Sequence, residues 1–210
     1  MPARSRFCLK NRLLAGALMS SALLAGCATP QSPVGKAVYD FGVAQSAVSA
    51  AVPVRNIPLA LPEIEAGAGL DSPALLYRLQ YQDAQQLRPY AQARWSVPPA
   101  QLVRSRLREA LAAQGPVLPQ EGVAMWTLRV DLDEFSQVFA MPESSQGTVR
   151  LRASLFKISQ SGEQLTAQTN VLTRSAAASQ DAPGGVRALT AATDDAVRQI
   201  AAWVATQIKP

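Results

Sequence analysis

The first 27 residues constrain everything after them. Arg4, Arg6, Lys10 and Arg12 precede an apolar run from Leu13 to Leu24, and Ala25 and Gly26 put small side chains just before Cys27. A positive start, an apolar stretch and small residues at a cut site make a secretory signal. A membrane span needs about 20 apolar residues. This run is shorter and is interrupted by Ser20 and Ser21. Residues 1–26 are therefore expected to be removed, and the fold must be built from the remainder.

Removal changes the composition that matters. The whole chain carries 20 basic and 15 acidic residues, a net charge of +5. The leader holds four of the basic residues and none of the acidic ones, so 16 face 15 afterwards. A basic balance invites a nucleic-acid partner, but no basic patch with interleaved aromatics remains, so nucleic acid is set aside. The 184 residues left of 210 suit one domain with a sizeable core. Cys8 lies in the leader, which leaves Cys27 as the mature chain's single cysteine and no disulfide. The core must hold by packing.

The chain contains no histidine, which excludes a Ser-His-Asp triad, a Cys-His pair and histidine-ligated zinc. Gly67-Ala68-Gly69 continues without the third glycine of a dinucleotide loop, and there is no Walker A sequence. Ser154-Leu155-Phe156-Lys157 matches the S-x-x-K core of serine penicillin-interacting enzymes. The surrounding run alternates as a strand, however, and a separation of three on a strand puts the two side chains on opposite faces. The companion S-D-N and K-T-G motifs are absent. Ser154 is expected on the solvent side. Asp131, Asp133 and Glu134 are the other catalytic candidates, since paired carboxylates cleave glycosidic bonds. Their alternation with Val130 and Leu132 reads instead as the wet face of a strand. No catalytic, cofactor-binding or metal-binding residue is expected, and no enzyme.

Periodicity places the elements. Tyr39, Phe41 and Val43 alternate as a first strand, and a small-residue run, 44–51, reads as a loop. Arg55, Ile57, Leu59 and Leu61 alternate around Pro58, which confines that strand to an edge or an irregular place. Residues 63–73 read as loop. Leu75, Tyr77, Leu79 and Tyr81 alternate, and a short strand surrounds Trp95. Pro98-Pro99 opens a helix whose Val103, Leu107, Ala110 and Leu111 form one apolar stripe, ended by Gly115-Pro116. Trp126, Leu128, Val130 and Leu132 alternate up to a break at Glu134-Phe135, a bulge signal. Residues 149–158 and 165–174 follow as strands joined by a turn at 160–163. In the last helix Asp181 is the cap, Pro183 lies in the first turn, and Val186, Leu189, Thr193, Val197, Ile200, Val204 and Ile208 recur at three and four. The pattern predicts an α+β fold: a mainly antiparallel β-sheet with two helices packed on one face.

The apolar run, the small residues and then Cys27 resemble the lipobox of bacterial lipoproteins. That likeness implies cleavage between Gly26 and Cys27, a diacylglycerol on the Cys27 sulfur and acylation of the new amino group, palmitate among the chains. Residues 27–36, with Pro30, Ser32, Pro33 and Gly35, form a lipidated tether to a single domain over 37–210. Ala28, where retention would call for Asp, implies a lipid anchor at the periplasmic face of the outer membrane.

An ordered set of motifs carries a second likeness. Tyr39-Asp40-Phe41-Gly42, Leu75-Leu76-Tyr77-Arg78-Leu79, Ala93-Arg94-Trp95 before the prolines, the Leu128-to-Phe135 strand, Val149-Arg150-Leu151-Arg152-Ala153 and an alanine-rich last helix succeed one another. Together they resemble the ABC-type transport auxiliary lipoproteins. The resemblance implies partnership with an MCE-domain protein and the ABC permease and ATPase of a lipid transport system, and it brings no catalytic residues. An outer-membrane assembly lipoprotein supporting a β-barrel or a lipopolysaccharide export complex is the alternative. Tyr39, Phe41, Tyr77, Tyr81 and Trp95 either line a partner or lipid surface or pack inward, as aromatics at alternating positions do. A homo-oligomer stays open.

Overall fold

The computed structural model describes residues 35–43, 57–119 and 124–208. The expected cleavage site at Gly26 and Cys27, the tether up to residue 34, the loop at 44–51 and Arg55 lie outside them. In chain order the elements are β1 (Ala37–Tyr39), β2 (Leu59–Ala60), β3 (Glu65–Ala66), β4 (Ala74–Leu79), β5 (Leu87–Trp95), α1 (Pro99–Ala112), β6 (Val117–Leu118), β7 (Trp126–Met141), β8 (Ser144–Ser159), β9 (Gly162–Ala176) and α2 (Ala182–Gln207).

Among the described residues the architecture is α+β, a nine-stranded sheet with two helices. Its frame is the antiparallel meander β7–β8–β9. Alternation in β7 buries Leu128, Val130 and Leu132, and β8 answers with Val149, Leu151, Ala153 and Leu155. The register shifts between Leu132 and Glu134, so Asp133 is the extra residue of a bulge and Phe135 returns to the core. The turn at Gln160–Ser161 closes onto Gly162 at φ +104°, a backbone region that favours glycine.

The helices complete one core. Seven residues spaced along α2 and just past it, from Val186 to Ile208, are all buried. Asp181 caps α2 by accepting from the Gly184 amide at 2.8 Å. Val103, Leu107 and Leu111 of α1 join the same cluster. The helices pack on each other, and α2 lies on β8 and β9. The approach is close enough to require glycine: a Cβ at Gly147 of β8 would lie 2.5 Å from the backbone of Ala188 and Leu189.

Several elements depart from the periodicity. β1 ends at Tyr39 and β4 at Leu79, so Phe41 and Val43 follow the first strand and Tyr81 falls in the β4–β5 turn. β5 is longer than the short strand expected around Trp95. Its first half, Leu87 to Ala91, is only partly buried and contains Pro89, so no clean alternation marks it in the sequence. β2 is two residues long and lies between β6 and β7, paired in parallel with both. β3 forms inside the expected loop, parallel to β7. β4 also runs parallel to β7, and β1 parallel to β5. These pairings exist because β7 is long and its side away from β8 is filled piecewise by β2, β3 and β4.

Candidate interaction surfaces

The five aromatics separate into three environments. Trp95 is fully buried, with Phe41 edge-on at 5.5 Å and Phe135 at 5.6 Å between ring centroids. A side chain so enclosed offers nothing to a partner or a lipid; it anchors the start of the domain instead. Tyr39 and Phe41 are half-buried against the same core. Tyr77 packs on Tyr90 at 4.7 Å and near Phe139 at 6.1 Å. Tyr81 alone is exposed, at 42%.

Arg106 is the important side chain that sequence reasoning missed. It is 7% exposed, although arginine is rarely buried unless paired. Its guanidinium lies 3.1 Å from Asp194 of α2 and 3.7 Å from Glu109, and it donates to the carbonyls of Phe41 at 2.8 Å and Gly42 at 3.3 Å. One side chain therefore ties the chain leaving β1 to both helices. Burial raises the Asp194 pKa, and the Arg106 charge opposes that rise. The signal was available in part: position 106 falls three after Val103, on the apolar stripe itself.

A second buried polar group lies under the start of α2. The Tyr90 hydroxyl donates to Gln137 Oε1 at 2.8 Å, and Gln137 Nε2 donates to Ser145 Oγ at 2.8 Å. Gln137 is fully buried, and a Cβ on Gly185 would collide with it. Burial pushes the Tyr90 pKa up to about 12, with Tyr77 and Asp181 adding to it. The Ser179 hydroxyl and the Gly184 amide hold the Asp181 pKa below the usual carboxylate value.

The sheet face opposite the helices is polar and ion-paired. Asp131 accepts from Arg152 at 3.0 Å, Asp133 lies 3.6 Å from the same guanidinium, and Glu134 faces Arg78 at 3.7 Å. The three candidate carboxylates thus sit against arginines on an open sheet. Ser154 is on this face too, but it is 8% exposed rather than solvent-facing as expected. It lies between Arg129 and Gln168 on the flanking strands, and Gln168 donates to it at 2.9 Å. Lys157 extends on the other side, its ammonium 5.2 Å from the Trp126 ring. The S-x-x-K pair is split across the sheet.

An open polar recess of about 390 Å³ is lined by Glu63, Gln101, Arg104, Ser105 and Arg108. Arg104 is already engaged there by Glu63 at 3.1 Å and by the carbonyls of Leu61 and Pro62. Among the described residues no cluster of His, Cys, Asp or Glu could hold a metal.

Comparison with known proteins adds a family to this geometry. Residues 39–201 match the family model described as ABC-type transport auxiliary lipoprotein component. A crystal structure of a Xanthomonas campestris protein superposes with a TM-score of 0.68 at 18% identity, covering 76% of this chain and 90% of that one. A hypothetical protein from Chlamydia trachomatis gives 0.51 at 10% identity, covering 73% and 98%. At such identities these two likenesses speak for the fold alone. No curated protein matches the chain.

Proposed function

The chain belongs to the ABC-type transport auxiliary lipoprotein components, and from that premise we propose that it is a lipid-anchored, non-catalytic docking subunit of a lipid transport system. In this reading the leader is cut between Gly26 and Cys27, and Cys27 carries the lipid. At about 0.8 kcal/mol for each buried CH₂, multiple acyl chains anchor a protein stably at a membrane surface. The folded domain then stands in the periplasm at the inner face of the outer membrane, on a short tether. There it receives an MCE-type subunit assembly linked to an ABC permease and ATPase.

The family match across most of the domain carries the reading. The S-x-x-K match, with its serine and lysine on opposite faces of the sheet, lends it indirect support. Lipid selection and the energy of transport belong to other subunits, and this chain supplies position and contact.

Two measurements test it. Cys27→Ser removes the sulfur that takes the diacylglycerol, so palmitate labelling should vanish and uncleaved precursor should accumulate. Labelling that persists in the variant refutes the anchor. Affinity purification of the full chain from membranes should bring down an MCE-domain protein with its permease. Recovery of a β-barrel assembly complex instead would overturn the transport assignment.

A further inference from the structure

Among the described residues β9 is the exposed long edge of the sheet, paired only with β8. Proteins normally guard such an edge with charge, proline, a short strand or a covering element, because its unpaired amides and carbonyls template another strand. The strand at the opposite edge, β1, is three residues long. β9 is 15 residues long, and residues 164–173 contain no charged residue, proline or glycine. Two large apolar side chains stand exposed along it, Leu165 at 50% and Leu172 at 40%. α2 covers its helix-side face, where Thr173 donates to the Ala192 carbonyl at 2.8 Å, but does not pair with the strand.

The geometry points to a second copy of this chain as the occupant, joined by antiparallel pairing of β9 with β9 about a two-fold axis at Thr169. The strand is self-complementary in that register and its faces agree. Gln168 and Asn170 both lie on the face opposite the helices, across from Ser154 and Arg152 of β8, and each would stand opposite the other residue in the second copy. Further out Thr166 is an extra residue, since Leu155 pairs with Ala167 and Phe156 with Leu165. That bulge shifts the phase by one, so Leu165 meets Leu172 on the same face. Two residues beyond, Glu163 meets Arg174, an opposite-charge pair at each end. Glu163 keeps its 2.9 Å bond to Arg129 and offers its second oxygen. Isologous contact of this kind closes on itself, so it ends at a dimer with one continuous sheet. The inference goes beyond the docking role and does not depend on it.

Cross-linking tests the register in the full chain. Residues directly opposite in an antiparallel pair have Cα atoms about 4.5–5.5 Å apart, inside the range a disulfide spans. Co-expressing one tagged copy with Gln168→Cys and a differently tagged copy with Asn170→Cys should therefore give a mixed disulfide dimer, absent from the parent chain. Gln168→Cys alone should give little, since diagonal neighbours stand about 7–8 Å apart. Mass measurement of the detergent-extracted chain should show a dimer. Arg174→Glu places like charges opposite each other and should weaken association by roughly tenfold or more, and adding Glu163→Arg should restore it. A monomer at all concentrations, a higher ring without the mixed cross-link, or a cross-link from position 168 or 170 to a different protein would each overturn the proposal.

Discussion

Replacing Gly147 by alanine puts the seating of α2 on the sheet to a quantitative test. The added Cβ would sit 2.5 Å from the Ala188 carbonyl carbon and the Leu189 nitrogen. Carbon atoms in favourable contact stand about 3.5–4.0 Å apart, so one element must withdraw by about 1 Å. Neither obstacle is a flexible side-chain end; both are backbone inside a helix. The helix must lift, and Leu189 and Ala192, both fully buried, lose contact with β8 and β9. A radial gap of 0.5–1 Å forfeits about a quarter to a half of each dispersion contact. Overpacking typically costs about 1–3 kcal/mol, and a backbone obstacle places this case at the top, at about 3 kcal/mol. For a domain of this size that corresponds to a fall in Tm of roughly 6–12 °C. Urea titration followed by tryptophan fluorescence reads it out, with Gly69→Ala as control, because nothing lies within 4 Å of a Cβ there. The control should stay within about 0.5 kcal/mol of the parent. If Gly147→Ala unfolds at the parent's urea concentration, α2 does not rest on β8 as described.

Two further variants address the polar ties. Arg106→Leu removes the guanidinium paired with Asp194 and leaves only the Arg198 charge near it. Breaking a buried pair costs about 3–5 kcal/mol, and because Asp194 is 32% exposed screening should bring this nearer to 2 kcal/mol. The Asp194 carboxyl has a raised pKa and becomes neutral at a higher pH than an ordinary carboxylate, so the deficit in urea stability should shrink as pH falls through that range. A deficit independent of pH refutes the pairing. Asp181→Ala removes the α2 cap. The folded pKa of Asp181 is lowered, so its stabilisation is present above the ordinary carboxylate value and lost as pH falls through the depressed one. Parent and variant should therefore differ in thermal stability at pH 7, begin to approach each other below about pH 4, and converge only below the depressed value; a difference unchanged in acid contradicts the capping role.

Long periodic elements could be read from the sequence because burial along them repeats. Each of the seven residues in the α2 stripe is buried, and the break near Glu134 is a bulge. The two-residue strands β2, β3 and β6 have no period to read; they are extended only because β7, or in the case of β6 its neighbour β2, offers unpaired backbone. Ser154 shows a different limit. Alternation put it on the face away from the helices, correctly, but could not show that Arg129 and Gln168 shield it there. Trp95 and Tyr81 read alike as strand aromatics, yet one is sealed against Phe41 and Phe135 while the other tops a turn. Which carbonyl an arginine such as Arg106 will reach depends on residues 65 positions away.

With the proposed anchor at the N-terminus, β1 and the Arg106 grip behind it are where mechanical load would enter the domain. Tension from a partner pulling the domain away from the membrane meets three strand residues paired with β5, and then the two carbonyls that Arg106 holds. Peeling residues 37–42 would leave the β7–β8–β9 meander and α2 paired as they are. It would also release, at roughly 3.3–3.6 Å per extended residue, about 20 Å of additional reach. The fold thus stores slack at the end where the proposed tether joins it, and a strand there can yield before the core does.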